Sequence, residues 1–593
     1  MQPTATVFLD QLPQPLKRAW RALSGRAATS VQSEGRPGPN NAAAKRVLDE
    51  VQRDIVGNRA TLHTPYGERP LIYADYTASG RAVGFIEDNI RNKVLPYYAN
   101  THTEASFTGA QTNALREAAR SAIRQSVNGG SADKVIFCGS GATAAINKLI
   151  DILGLRIPRE LDKRYQLAAS IPEDQRPVIF VGPYEHHSNE LPWREAIADV
   201  VRIGLDSNGH IDQTQLAAAL DAYSDRPLRI GSFSAASNVT GLRSDVVGIT
   251  TLLKQAGALA FWDYAAAGPY VSIDMNHPQA AIDAVFISPH KFVGGPGTPG
   301  ILVAKEQLMT NAVPAVVGGG TVSYVSPTEH RYLEDPEHRE EGGTPAIVES
   351  IRAGLVFALK EQIGIDLIEA REHALVAQAF EHFAAIPEIE VLGPATQDRL
   401  GIFSLRMKHN DKDLHHGFVA ALLNDLFGIQ ARGGCSCAGP YGHDLLNIDS
   451  DRSRALDAVV ADGYECFKPG WVRVNFHYAA DSDEITYVLA ALKLVAEYGS
   501  RLLPSYVLDQ QKGSWTHRDG AAALPIALSD LLNPGCESSD TACSLPLHDI
   551  LAEAEHVLSA GAPAKHIAAA KAEHGFPTAL ESHRWFAIAT DTL

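Results

Sequence analysis

The stretch AVFISPHKFVGGPGTPG, residues 284–300, decides how the chain is read: a short apolar run, one lysine, then a loop of glycines and prolines. Its first half has the length and the β-branched and aromatic content of a buried strand, and its second half can continue neither a strand nor a helix. Lys291 therefore falls just past a strand end. In open sheets covered by helices, that is where ligands sit.

Working outward, PVIFVG (177–182), PLRIGSFS (227–234) and ALAFWD (258–263) are further short apolar runs, separated by helical stretches such as VGITTLLKQAG (247–257). Such alternation, from about Leu71 to Leu308, predicts an α/β architecture with a mostly parallel sheet. Beyond Pro345, AIVESIRAGLVFALKEQIG (346–364) has apolar residues at helical spacing and reads as a long connecting helix. A smaller α+β unit follows, with strand candidates LGIFSLRM (400–407) and GWVRVNFHY (470–478) around the loop ARGGCSCAGPYG (431–442). These patterns divide the chain into a leader (1–45), a large α/β domain (46–345), the connecting helix with a small α+β domain (346–498), and a C-terminal extension (499–593) with no assigned role.

With 593 residues, 45% hydrophobic and 20% charged, and a mean hydropathy of −0.10, the composition is that of a soluble globular protein of two or three units. No stretch approaches the roughly 18 apolar residues of a membrane span. A formal net charge of −17 argues against a broad nucleic-acid surface, which needs clustered lysine and arginine. Six cysteines in so long a chain make no disulfide framework, and no signal peptide opens the sequence. The expected compartment is the reduced cytoplasm. The leader through about Lys45, rich in Ala, Arg, Pro and Ser, reads as frayed, with organellar targeting as the alternative.

A lysine buried at a strand end has its pKa depressed, and a neutral amine forms a Schiff base with an aldehyde. That points to pyridoxal 5′-phosphate (PLP), which further demands a carboxylate for its ring nitrogen, anion-binding groups for its phosphate and a flat group over the ring. Asp263 closes an apolar run, where a buried charge needs a partner; its structural alternative is a turn cap. In CGSGATAAINKLI (138–150), Gly141, Ala142 and Thr143 open a helix whose amides suit a phosphate, and Ser288 and His290 beside Lys291 are candidates to complete the cup. EHHSNE (185–190) supplies two histidines, one of which can stack on the ring. No further ligands at zinc-like spacing accompany them, so no metal site is assigned.

Taken in order, these segments resemble the class V aminotransferase fold, specifically its cysteine desulfurase and selenocysteine lyase branch, over roughly residues 70–498. The resemblance rests on EHHSNELPW, SNVTG (237–241), SPHKFVGGPGTPG and EEGGTP (340–345). It implies a PLP-dependent transferase of fold type I in which Lys291 holds PLP, His186 stacks on its ring and Asp263 pairs with the ring nitrogen. Asn238 would approach the ring hydroxyl or substrate, and Gly141, Ala142, Thr143, Ser288 and His290 would bind phosphate. Thr344 would reach in from a second subunit, implying a homodimer. RGGCSCAGP (432–440) is similar to the branch's cysteine loop and puts Cys437 at the nucleophile position, with Cys435 an unusual second cysteine. On residues alone the Cys-x-Cys pair reads equally as half a metal site, a redox pair or an incidental pair. Arg473 in WVRVNFHY is implied as the clamp for a substrate carboxylate, and His102 in NTHTEAS as a residue near the substrate.

The implied activity is removal of sulfur from L-cysteine, or selenium from selenocysteine, giving alanine and a persulfide on Cys437. Only a thiolate attacks efficiently, so positive charge from Arg432 or a histidine is expected beside it. The implied partners are an amino-acid substrate and a sulfur-acceptor protein, with no nucleic acid and no membrane. One departure bears on substrate: DYAAAG (263–268) places Ala266 where the branch commonly has glutamine. The alternatives are another PLP enzyme of this fold, such as an aminotransferase, epimerase or lyase, and a non-catalytic sulfur carrier or scaffold.

Overall fold

The computed structural model describes residues 41–101, 103–520, 526–532, 542–573 and 575–593. The first forty residues of the expected leader lie outside these; its last residues do not fray, because a helix runs over Asn41–Arg53. No helix among the described residues is long and apolar enough to cross a membrane.

Seven strands make the large sheet: β1 (Asp133–Cys138), β2 (Val178–Val181), β3 (Asp199–Arg202), β4 (Arg229–Ser234), β5 (Leu259–Asp263), β6 (Ala284–Ile287) and β7 (Gly300–Lys305). Their spatial order is β1-β7-β6-β5-β4-β2-β3. Strands β6, β5, β4, β2 and β3 run parallel, as the alternating pattern predicts, while β7 runs antiparallel to both β1 and β6. The central strands are buried on both faces, which is why they read as unbroken apolar runs. Successive residues still part to opposite sides: Val285 and Ile287 pack in one core and Phe286 in the other. Every parallel strand of the centre ends at the same edge, so the residues that follow β2, β5 and β6 meet there with the start of helix α1 (Gly141–Ile152), which follows β1.

Helix α2 (Ile347–Ile363) leads to the small sheet. Its strands are β8 (Ile402–His409), β9 (Lys412–Leu414), β10 (Arg432–Gly434), β11 (Trp471–Asn475) and β12 (Phe586–Ala587), in the order β10-β11-β8-β9-β12, with Ile389–Val391 pairing on β8. Two features depart from the division read in the sequence. The short strand Ile72–Tyr73 pairs in parallel with Ile429–Gln430, and Ile72 and Ala74 pack in the small unit's core, although they lie within the stretch assigned to the large domain. The C-terminal extension is no appendage either. Its β12 pairs in parallel with β9, and Ile550, Leu558, Phe576 and Phe586 share one core with Phe403 and Phe418.

Aromatic and polar contacts lock that extension in place. Trp515 donates through Nε1 to His415 Nδ1 at 3.0 Å, Trp585 donates to the Phe467 carbonyl at 3.1 Å, and the His415 and Trp585 rings stack at 5.4 Å. Further along the extension, His517, Asp519 and His566 bring one metal-ligand-type atom each within 4.8 Å, a grouping that sequence spacing did not show. In this structure Asp519 receives Lys565 at 2.8 Å, and His566 Nε2 lies 3.2 Å from the same carboxylate oxygen.

Candidate active site

Lys291 ends a one-turn helix, Pro289–Lys291, directly after β6. Burial pushes its amine down to about 8; Asp263 and Asp75 oppose the shift, and Arg473 and Arg432 add to it. Asp263, the last residue of the neighbouring β5, is 4% exposed and raised above the usual carboxylate range by burial. The N–H of Ala265, at 2.8 Å, is the only hydrogen bond to its carboxylate among the described residues. Burying an ion costs several kcal/mol unless it finds a partner, so this carboxyl is poised for a cationic ring nitrogen.

The start of α1 closes the other side. Ala142 donates its N–H to Ser288 Oγ at 2.8 Å, and Gly141 takes a left-handed φ of 56°. A Cβ on Gly141 would lie 2.8 Å from Ser288 Oγ and 3.7 Å from His290 Nε2, so these three predicted residues converge. Gly300 backs the cradle so closely that a Cβ there would stand 2.0 Å from the Gly141 carbonyl oxygen. Burial brings His290 down to about 4, and its Nδ1 meets Ser79 Oγ at 3.3 Å. Thr143 is exposed beside them; its hydroxyl meets Ser188 Oγ at 2.6 Å, which in turn meets His186 Nδ1 at 3.0 Å.

The paired histidines divide their tasks. His186 is held neutral, brought down to about 3 by burial and then by Lys291, and its Nδ1 accepts the Ser188 N–H at 3.1 Å. That bond assigns the ring proton to Nε2. His187 instead grips the cysteine loop: its N–H donates to the Cys437 carbonyl at 2.9 Å, and its Nε2 accepts the Gly439 N–H at 3.0 Å. Beneath both, Glu185 is buried and pushed up to about 7 by burial, despite accepting from Ser234 Oγ, Asn189 Nδ2 and the Gly182 and Ser234 amides.

From the small sheet, the loop after β10 leaves Cys435 and Cys437 exposed as free thiols. Asn238 fastens it, donating through Nδ2 to the Ser436 carbonyl at 2.8 Å. Arg473 on β11 is 4% exposed and binds the Asn238 carbonyl through Nη1 at 3.2 Å and Asp75 Oδ1 through Nη2 at 3.0 Å. Its Nε is buried with no partner, and its guanidinium lies in the electrostatic range of Cys437. Arg432 joins the same carboxylate, Nε to Asp75 Oδ2 at 2.9 Å.

The structure thus links Gly141, Ala142, Ser288, His290, Lys291, Asp263, His186, Asn238, Arg473 and Cys437 through hydrogen bonds, close approaches and electrostatic range, with Thr143 joined through Ser188. Thr344 stands apart from the Gly141 cradle; it is exposed and accepts Asn100 Nδ2 at 3.3 Å. His102 lies outside the described residues. Ala266 is 9% exposed and offers no side-chain polar atom. The sequence reading passed over Asp75, Ser79, Glu185, Ser188 and the distinct role of His187. Asp75 carried a usable signal, since it ends the apolar run LIYAD much as Asp263 ends its own.

This arrangement fits PLP. Asp263 supplies a buried carboxyl short of partners, the Gly141 cradle would be filled by any Cβ, and Lys291 stands between them with a depressed amine pKa.

The class V aminotransferase profile matches residues 72–488. A probable cysteine desulfurase of Streptomyces coelicolor is 28% identical over 374 residues, covering 62% of this chain and 84% of its own. One from Staphylococcus aureus strain COL is 28% identical over 451 residues, covering 75% and 97%. Among solved structures, the apo cysteine desulfurase of Thermococcus onnurineus superposes with a TM-score of 0.61 at 23% identity, over 76% of this chain and 98% of that one. The Escherichia coli cysteine desulfurase CsdA gives 0.55 at 21% identity, over 72% and 94%. These two likenesses concern the fold, an α/β architecture of PLP fold type I. Sheet topology and profile agree: the chain belongs to the class V aminotransferase family.

Proposed function

We propose that the protein is a PLP-dependent, cysteine desulfurase-like enzyme that takes sulfur from L-cysteine, or selenium from selenocysteine, onto Cys437 and leaves alanine. The observation that carries this reading is the position of Cys437: an exposed thiol in the field of Arg473, on a loop fastened by His187 and Asn238. The names of the relatives, probable cysteine desulfurases, support it.

Bound PLP supplies an electron sink for negative charge at the Cα of an amino acid. Arg473, with its buried Nε unpartnered, receives the substrate carboxylate, and a guanidinium clamp of this kind fixes orientation as well as charge. Lys291, whose amine is held near 8, moves the Cα proton near neutral pH. His186 stays neutral and presents a flat ring with its proton on Nε2. The Cys437 thiolate attacks the substrate sulfur; an S–S bond forms as the Cβ–S bond breaks, and the carbon skeleton takes up a proton to end as alanine. Cysteine plus a thiol becomes alanine plus a persulfide, so atoms and electrons balance without an external oxidant.

Thr344 is proposed to complete the phosphate site of a second copy of this chain. The turn before it packs on the segment of Val316, where Val316 and Val317 are exposed apolar groups of the kind a homodimer contact covers. The exposed thiols suit delivery of sulfur to an acceptor protein.

The test is an absorbance scan of the purified protein followed by L-cysteine with a reductant, assaying alanine and sulfide in wild type and Cys437→Ser. A cofactor band with equal alanine and sulfide, both lost in the variant, is expected. A band without these products moves the substrate to another amino acid, and absence of a band on added PLP overturns the reading of Lys291.

A further inference from the structure

We propose that Cys435 is a second sulfur-carrying thiol of this site, taking the outer sulfur of the Cys437 persulfide and presenting it to the acceptor. The proposal rests on the reading of Cys437 as the persulfide-forming residue.

Four observations carry it. Both thiols are exposed, and neither makes a hydrogen bond among the described residues. Ser436 and Cys437 both take a left-handed φ, 53° and 55°, an unusual pair for residues with side chains, and the Ala438 N–H closes the turn onto the Cys435 carbonyl at 3.2 Å. Around the two thiols the loop is held through its backbone: the Ser436 carbonyl to Asn238, the Cys437 carbonyl to His187 and the Gly439 amide to His187. Finally, Cys437 lies in the field of the buried Arg473, whereas Cys435 follows directly on the edge strand β10.

The turn makes the pair reactive towards each other. Two 3.8 Å steps bent at a left-handed residue hold the Cα atoms closer than the about 7 Å of an extended pair, and sulfurs can bond when their Cα atoms are roughly 4.4–6.8 Å apart. The Cys435 thiolate attacks the outer sulfur of the Cys437 persulfide. One S–S bond forms as the other breaks, Cys437 leaves as a thiolate, and no oxidant or reductant is consumed. Cys437 is thereby freed beside Arg473 while the sulfur waits on its neighbour.

The full-length holoenzyme tests this. It receives one equivalent of L-cysteine per site, is quenched with an alkylating reagent at successive times and is digested with trypsin. Both cysteines fall in the peptide between Arg432 and Arg452, where fragmentation on either side of Ser436 assigns the extra sulfur. The expected result is sulfur first on Cys437 and then on Cys435. Cys435→Ser would still form alanine in the first turnover, but keep its sulfur on Cys437 and release sulfide to dithiothreitol about fivefold more slowly. Sulfur found only on Cys437, with equal release by Cys435→Ser, would overturn the proposal. So would a Cys435–Cys437 disulfide accompanied by free sulfide, which signals attack on the inner sulfur. Failure of wild type to form alanine at all sinks the desulfurase reading itself, and is told apart because no sulfur reaches either cysteine.

Discussion

Asp75 Oδ1 receives Arg473 Nη2 at 3.0 Å, and through this pair a segment near the start of the described chain orients a guanidinium carried by the small sheet. Removing the carboxylate leaves Arg473 buried without a counter-charge, which costs about 3 kcal/mol where a buried pair is broken. Asp75→Ala is therefore expected to lower the urea midpoint. It should also raise KM for the amino-acid substrate about tenfold with a smaller change in kcat, because a misaimed clamp weakens binding before chemistry. Equal KM in the two proteins would show that Asp75 plays no part in placing Arg473.

Gly300→Ala probes the cradle from behind. The new Cβ meets the Gly141 carbonyl oxygen at 2.0 Å, so the backbone at Gly141 or at Gly300 must shift and the cradle beside Ser288 is disturbed. Retention of PLP on dialysis is expected to fall at least tenfold, read as loss of cofactor absorbance, while circular dichroism keeps the α/β signature. Undiminished retention would place the phosphate elsewhere.

Glu185 gives a pH dependence of definite sign. Its folded carboxyl is pushed up to about 7 by burial, above the ordinary value of 4.5. Below pH 4.5 both folded and unfolded states hold the proton. Between 4.5 and 7 only the folded state holds it, so stability falls with rising pH, by about 3 kcal/mol in all. Relative to wild type, Glu185→Gln is expected to gain that amount between pH 4.5 and 7.5 in urea unfolding followed over pH. A constant difference between the two curves would mean that Glu185 titrates normally.

Phe586→Ala tests the C-terminal extension. Phe586 is fully buried in the core shared with Phe418 and packs edge-on to His415 at 4.8 Å. Truncating a buried phenylalanine costs about 3–5 kcal/mol. A single cooperative transition shifted by that amount is expected; a separate early transition of the extension would show that it folds on its own.

How much of this was legible in the sequence follows from which forces are local. Strand ends announce themselves, because an apolar run must stop where the chain meets polar or ligand-binding groups; Lys291, Asp263 and the start of α1 were found that way. The antiparallel course of β7 was not visible, since PGILVAK has the same apolar content in either direction. The pairing of Ile72–Tyr73 with Ile429–Gln430 joins residues too far apart for any periodicity to register. Glu185 and His187 were hidden for another reason. Glu185 depends on Ser234 at the end of the neighbouring β4, and His187 on Gly439 and Cys437, which reach it only once both units are packed.

The parallel pairing of β9 with β12 also sets an order of events during synthesis. A ribosome that has already delivered the large sheet, the cysteine loop and the Arg473 strand still withholds the strand that completes the small sheet. Until residues 586 and 587 emerge, the edge of β9 and the apolar surface around His415 stand open. The nascent chain thus passes through a long interval with its exposed thiols made and their scaffold unfinished, the stage at which a bound chaperone would protect it most.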